Sequence, residues 1–207
     1  MVKRPLFILA VIFCALAPAA PAHASLLSGV LPGLVSTSDT PATCDTKTSQ
    51  PFARWGDMRN YVLVPGGSFE SGAVGWKLNG GANVVSGNEP FYVRSSADRY
   101  SLYLPAGSSV TTPPMCFGLG NWNARFFSVG SGTIRVKIVV KSLLGVLSIL
   151  DGGTVSADGT WDPSPKVSAL ISNVGSLLTT KAISLRLRAS GTGFQVDDVY
   201  LDPFRGT

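Results

Sequence analysis

The sequence is poor in the side chains that carry most acid–base and metal chemistry. Its only histidine is His23, and its only glutamates are Glu70 and Glu89. His23 lies in a predicted signal peptide, which excludes a histidine-dependent triad or a histidine-ligated zinc site in the mature chain. A glycosidase pair could be assembled from Glu70 and Glu89, but Glu89 is expected in a turn-like Gly-Asn-Glu-Pro segment. No serine lies in a Gly-x-Ser-x-Gly motif. We therefore expect no enzyme, although a Ser–Lys pair remains an open alternative.

Long apolar runs are also missing. The apolar stretch at residues 6–17 is about 12 residues long, too short to cross a bilayer as a helix. It follows Lys3 and Arg4 and precedes an Ala-x-Ala cleavage site at residues 22–24. This order is typical of a secretory signal peptide, predicted to be residues 1–24. We expect a secreted, extracellular protein without a membrane anchor.

Cysteine is scarce, and the predicted cleavage removes one of the three residues, Cys14. Cys44 and Cys116 remain, and an even pair in an oxidising compartment predicts one disulfide. A redox or metal-binding pair would need close spacing such as Cys-x-x-Cys, which is absent.

Charge is low and nearly balanced. Without Lys3 and Arg4 the chain has 15 basic and 12 acidic side chains, so the sequence pI of 9.3 overstates its basicity. So small an excess gives no reason to expect a nucleic-acid partner.

Composition divides the mature chain in two. Residues 25–50 are rich in Ser, Thr and Pro and predict a flexible leader. Residues 51–207 have the composition and length of one globular domain. Apolar residues alternate with polar ones at 133–140 and 181–188, and Gly or Pro clusters separate such segments. The pattern predicts an all-β antiparallel sandwich, with helix candidates only within 167–178.

The last strand contains an irregularity. Phe194 and Val196 have one parity, whereas Val199 and Leu201 have the other, so all four reach one core only if the register shifts between them. A β-bulge at residues 197–198 would provide that shift. The alternative is a strand buried on both faces and without a bulge.

Two motifs bracket the domain. Residues 64–76 read VPGGSFESGAVGW, and residues 194–201 read FQVDDVYL. A Phe-Glu strand followed by Gly-x-x-Gly-Trp, with a terminal Asp-Asp-Val strand, resembles the galactose-binding-like jelly roll of secreted carbohydrate-binding modules. The resemblance covers about residues 51–205, and over this range the sequence is similar to exported bacterial proteins of this type. It implies a jelly-roll β-sandwich with its first and last strands close together.

The resemblance also implies a structural Ca²⁺ between those strands. Its carboxylate ligands would be Glu70 with Asp197 or Asp198, completed by backbone carbonyls, because Ca²⁺ prefers six to eight oxygen ligands. The alternative has Glu70 exposed or paired with an arginine and the aspartates capping a turn.

Aromatic residues in polar contexts are the candidates for glycan contact, because a flat ring stacks on the apolar face of a sugar. Trp122 and Trp161 are the better candidates, and Tyr92, Tyr100 and Tyr103 are weaker ones. The alternative for each tryptophan is packing at the surface or at a sheet edge. Trp76, from the Gly-Trp motif, is expected in the core.

Four cations form the last pattern: Arg135 and Lys137 on one predicted strand, Arg186 and Arg188 on another. If those strands share a sheet, the four cations line one of its faces. That face would either bind an anionic polymer or be a solvated surface that discourages edge pairing. We expect a non-catalytic protein that binds extracellular polysaccharide or cell-wall glycan. The alternative is an extracellular structural or protein-interaction module. The sequence leaves the oligomeric state undetermined.

Overall fold

A computed structural model describes residues 47–115, 121–142, 147–170 and 180–202. All of them belong to one compact unit, Asp39–Thr207. The predicted signal peptide, most of the predicted leader, Cys44 and Cys116 lie outside the described residues, so the disulfide stays a prediction. None of the described segments forms a helix with the length and apolar character needed to cross a membrane.

The described chain is almost entirely β-structure. A short 3₁₀ turn at Ala53–Trp55 precedes the strands. In chain order these are β1 (Val62–Leu63), β2 (Lys77–Asn79), β3 (Asn83–Ser86), β4 (Tyr100–Leu104), β5 (Ser109–Thr111), β6 (Asn121–Ser142), β7 (Leu147–Asp158), β8 (Asp162–Pro163), β9 (Val167–Leu170) and β10 (Thr180–Asp202). The helix candidate at 167–178 was wrong where the structure describes it, because residues 167–170 form β9 and pair with β6.

Two long strands organise the fold. β6 has 22 residues and β10 has 23, and they pair antiparallel along nearly their whole length. The other edge of β10 pairs in turn with β5, β4 and β1. The other edge of β6 pairs with β9, β8 and β7. The antiparallel sheet curls around this pair, which gives the predicted jelly-roll β-sandwich.

Glycines bend the long strands. The sequence had suggested that glycine clusters end strands, and at these positions they do not. Gly132 and Gly191 lie opposite each other at φ 121° and 128°. A Cβ on Gly191 would overlap the carbonyl oxygen of Ser131, and one on Gly132 would overlap that of Ser190. Glycine alone lets the two backbones approach this closely. We call this point, together with Gly130 and Gly193, the glycine bend.

The predicted alternation produces the inner core, enclosed by the curled sheet. In the alternating segments 133–140 and 181–188 its members are no more than 1% exposed: Ile134, Val136, Ile138, Val140, Ile183, Leu185 and Leu187. Trp76 also belongs to this core, as predicted, and its Nε1 donates a hydrogen bond to the carbonyl oxygen of Pro65 at 2.8 Å.

The predicted β-bulge is present in β10. The register against β6 shifts between Asp197 and Tyr200, and Asp198 has φ 46°. Residues on both sides of the shift, Phe194 and Val199 among them, therefore reach the same inner core.

A second apolar cluster covers the opposite face of β6 and β10. We call Phe52, Tyr61, Phe127 and Tyr200 the outer aromatic cluster; each is at most 3% exposed. Arg125 stacks over Phe52, with its Cζ 4.2 Å from the ring centroid. The Arg125 guanidinium also pairs with Asp57 at 3.0 Å.

Candidate functional site

The segment between β3 and β4, residues 87–99, is built around one buried carboxylate. Glu89 is 1% exposed and accepts hydrogen bonds from the backbone N–H groups of Phe91, Tyr92 and Val93 at 2.5, 2.9 and 2.8 Å. Burial raises the pKa of Glu89, and these three bonds act in the opposite direction. We call this segment the Tyr92 loop; Glu89 fixes its backbone.

The β10 bulge anchors the loop. The backbone N–H of Glu89 donates to Asp197 Oδ2 at 3.1 Å, across 108 positions of sequence. Asp197 is fully buried and also accepts from the backbone N–H of Asp198. At the other end of the loop, Arg94 and Asp98 form an ion pair at 2.7 Å. The loop is therefore held at both ends and in the middle.

Tyr92 is held in an unusual conformation by this scaffold. Its backbone φ is 50°, in the left-handed region, and its side chain is 52% exposed. Its neighbours Phe91 and Val93 pack against the outer aromatic cluster, so Tyr92 projects outward between two anchored residues. A left-handed backbone at a bulky residue costs about 1–3 kcal/mol, and such strain is concentrated at functional sites.

A polar cleft of about 290 Å³ lies beside Tyr92. It is lined by Ser86, Gly87, Asn88, Tyr92, Ser96, Asp98 and Arg99. Tyr100, which is 43% exposed, lies directly opposite Ser86 in the β3–β4 pairing. An exposed ring beside hydroxyl, amide and guanidinium groups suits a sugar, whose C–H face is apolar and whose rim is polar.

The other predicted aromatic residues lie elsewhere. Tyr103 points away from the inner core, as predicted, but it is half-buried, and its hydroxyl oxygen lies 2.9 Å from where a Cβ on Gly193 would stand. Trp161 is half-buried and packs against the outer aromatic cluster. The backbone of Trp122 pairs with Ala169, and its side chain lies outside the described part of the chain.

A second cavity of about 240 Å³ adjoins the turn that contains Trp161, and Asp158 and Asp162 are among its lining residues. The Thr160 Oγ1 lies 2.7 Å from an Asp158 oxygen and 2.8 Å from an Asp162 oxygen, and its one hydrogen can be donated to either carboxylate. Trp161 itself does not line this cavity, so of the described aromatic candidates Tyr92 alone lines either of these two cavities.

The predicted calcium ligands have different environments. Glu70 Oε1 accepts hydrogen bonds from the backbone N–H groups of Arg99 and Tyr100, at 2.9 and 2.8 Å. Asp198 Oδ1 is buried without a hydrogen-bond partner, and Arg94 Nε lies 4.0 Å from it. Burial, together with the negative charges of Glu89, Asp98 and Glu70, raises the pKa of Asp198 to about 7.

An unpartnered carboxylate oxygen among other acids fits a hard cation such as Ca²⁺. Within the described residues, however, no group of three or more acidic, histidine or cysteine side chains is placed to hold a metal. A Ca²⁺ ion at Asp198 would therefore need backbone carbonyls for most of its coordination. Arg94 already supplies part of the positive charge.

The sequence made Tyr92 only a weaker candidate than Trp122 and Trp161, and it did not indicate the residues that surround Tyr92. Asn88 and Arg99 line the cleft although neither stood out in the sequence. The Gly-Asn-Glu-Pro turn before Tyr92 was the available signal, since a carboxylate in a turn often binds nearby backbone N–H groups.

No protein-family model and no curated protein matches the sequence. Among solved structures, the chain is similar to the enzymatically active domain of tailspike protein 4 of bacteriophage CBA120, with 12% identity and a TM-score of 0.53. It is also similar to the CBM22-1–GH10 modules of Clostridium thermocellum xylanase 10B complexed with xylohexaose, with 13% identity and a TM-score of 0.50.

The two matches cover 67% and 70% of this chain but only 21% and 29% of those chains. The carbohydrate-binding module TmCBM61, solved with β-1,4-galactotriose, is 18% identical, with a TM-score of 0.44 and coverage of 70% and 98% of the two chains. At these identities the likeness concerns the fold. The chain has the jelly-roll fold of carbohydrate-binding modules, as the sequence predicted.

Proposed function

We propose that this protein is a secreted, non-catalytic glycan-binding protein that holds a sugar in the cleft beside Tyr92. The observation that carries the proposal is the exposed Tyr92 ring, which Glu89 fixes in a strained conformation next to polar groups. The Tyr92 ring would stack on one sugar face, and Asn88 and Arg99 would bond its hydroxyl groups. Because the site is held rigid before binding, little ordering entropy would be lost on association.

The absence of catalysis is part of the proposal, and it is supported by how the two glutamates are used. Glu89 is buried, and both of its carboxylate oxygens accept backbone hydrogen bonds. Glu70 binds the backbone at the start of β4. Both therefore serve as structural hydrogen-bond acceptors, whereas a glycosidase needs two carboxyl groups facing the scissile bond.

We also propose that one Ca²⁺ ion binds at the β10 bulge, with Asp198 as its carboxylate ligand and with Glu70 and Asp197 nearby. The unpartnered Oδ1 of Asp198 supports this. The ion would neutralise the buried acids beneath the Tyr92 loop and so stabilise the site. Its role would be structural.

The test is binding of the purified protein to an array of plant, microbial and cell-wall glycans, including xylan and β-1,4-galactan, with calcium and with EDTA. We expect selective binding to neutral glycans that Tyr92→Ala abolishes. Tyr103→Ala is the matched control, since Tyr103 does not line the cleft. No binding in either condition would reject the proposal and favour an extracellular protein-interaction module.

A further inference from the structure

The four cations noted in the sequence do share one sheet face. In the β6–β10 pairing, Arg186 lies directly opposite Lys137, and Arg188 lies directly opposite Arg135. Their chain neighbours Val136 and Leu187 are fully buried in the inner core, so alternation directs the cations to the outer face.

The face extends over neighbouring strands. Thr111 of β5 pairs with both Arg186 and Lys77, which adds a fifth cation to the row. We call Lys77, Arg135, Lys137, Arg186 and Arg188 the cationic face. The acid in these rows is Asp151, which pairs with Arg135 at 2.6 Å while both side chains are more than half exposed. Asp151 neutralises one of these cations, so the face keeps a positive excess.

Structural explanations account poorly for this arrangement. Like charges directly opposite each other on paired strands are destabilising. Cations on a sheet often prevent edge-to-edge association, but β6 and β10 are each paired on both edges here. The four cations of β6 and β10 therefore stand in the middle of a sheet, where that protection is not needed. A binding role explains the cost.

Strand geometry gives the face a regular layout. Adjacent strands are about 4.8 Å apart, and residues two apart on a strand are separated by about 7 Å. One row contains Lys77, Arg186 and Lys137, and the next contains Arg188 and Arg135. A linear polymer lying across the strands would meet cations on successive strands, with hydroxyl groups such as that of Thr111 between them.

We propose that the cationic face binds an anionic polysaccharide, through contacts between its carboxylate or sulfate groups and the arginine and lysine side chains. The surface is complementary to a polyanion by charge alone. We choose a polysaccharide over a nucleic acid because the described rows contain hydroxyl side chains between the cations and no aromatic ring on which bases would stack. The inference rests on the proposed glycan-binding function only for this choice of polymer.

The test compares polygalacturonate with its methyl ester, which has the same backbone without the charge. Binding is measured at rising NaCl concentration for the wild type and for Arg186→Gln/Arg188→Gln. The control Arg59→Gln/Lys166→Gln removes two exposed cations elsewhere. Thermal melts verify folding, and the single variant Arg188→Gln is used if the double variant is unstable, since Arg188 is exposed.

We expect the wild type to bind the charged polymer only, and salt to weaken the binding. The Arg186→Gln/Arg188→Gln variant should lose on the order of tenfold in affinity, because two charge-assisted contacts are removed. Equal binding of the ester, an undiminished affinity of the variant, or stronger binding to single-stranded DNA of equal charge would overturn the inference. Tyr92→Ala should still bind polygalacturonate, so failure of the cleft proposal and failure of this one are distinguishable.

Discussion

The two halves of the β6–β10 ribbon share an inner core but differ on their outer faces. On one side of the glycine bend the outer face is covered by the outer aromatic cluster and the Tyr92 loop; we call this the covered half. On the other side the same two strands leave the cationic face open; we call this the open half.

The difference shows how one strand pair supports two kinds of surface. In the covered half, a second apolar layer and the bulge at Asp197 hold a loop in one strained shape, which creates a cleft. In the open half, the plain alternation of strand residues produces a flat, regular array of charge. A cleft of fixed shape suits stacking against one sugar, and a flat charged array suits a repeating polymer.

Loss of the cation buried in the covered half should have the largest effect on stability. Arg125→Met leaves Asp57 buried without its main ion-pair partner and removes the contact with Phe52. Breaking a buried ion pair costs about 3–5 kcal/mol. Denaturant unfolding should show a loss in this range, against less than about 1 kcal/mol for Arg59→Met, whose partner Asp202 lies 3.8 Å away and whose side chain is exposed. Equal losses would mean that Arg125 has no special role.

The glycine bend, which joins the halves, should be nearly as sensitive. Gly191→Ala forces a Cβ onto the Ser131 carbonyl and adds strain at φ 128°. We expect a loss of about 3 kcal/mol in the free energy of unfolding. Gly153→Ala is the control, because φ there is also positive but nothing lies within 4 Å of the added Cβ. It should cost about 1 kcal/mol. If both variants lose the same amount, backbone strain and not close approach governs the bend.

Loosening the Tyr92 loop should have an intermediate effect. Glu89 uses both oxygens as acceptors, so Glu89→Gln turns an amide N–H₂ toward a backbone donor and costs about 2 kcal/mol. Glu70 uses Oε1 for both of its bonds, so Glu70→Gln can keep them and should be nearly neutral. Unfolding measurements and limited proteolysis of the loop compare the two variants. Comparable losses would contradict the assigned role of Glu89.

The buried acids at the bulge should make the stability of the protein depend on pH. Burial raises the pKa of Asp197 to about 8 and that of Asp198 to about 7. The folded state then holds these protons more tightly than the unfolded chain does, so the free energy of unfolding should fall as pH rises from about 4 to about 8.

Asp198→Asn should flatten this decline and, in EDTA at pH 8, raise stability by about 1 kcal/mol or more. Asparagine also tolerates the positive φ at this position. Calcium should stabilise the wild type and not the variant. If calcium does not raise the free energy of unfolding of the wild type at pH 8, the proposed ion is rejected. A free energy of unfolding that does not change with pH would contradict the raised pKa values.

The sequence predicted the features that follow from local alternation. The buried faces of β6 and β10, and the bulge inferred from the changed parity of Val199 after Val196, are confirmed. The continuity of β10 through Gly191 could not be predicted, because a glycine that ends a strand and one that bends it look alike in sequence. Glu89 was expected in a turn, but its bond to Asp197 joins residues 108 positions apart, and no local pattern reports such a contact.

The most direct test of the central claim is to map which half binds a neutral sugar. The protein is titrated with the strongest neutral ligand from the glycan array while backbone amide chemical shifts are followed by NMR. We predict that the largest changes occur at Asn88, Tyr92 and Arg99, with Arg186 and Arg188 unchanged. Largest changes in the open half, or around Asp158 and Asp162, would contradict the assignment of the cleft beside Tyr92.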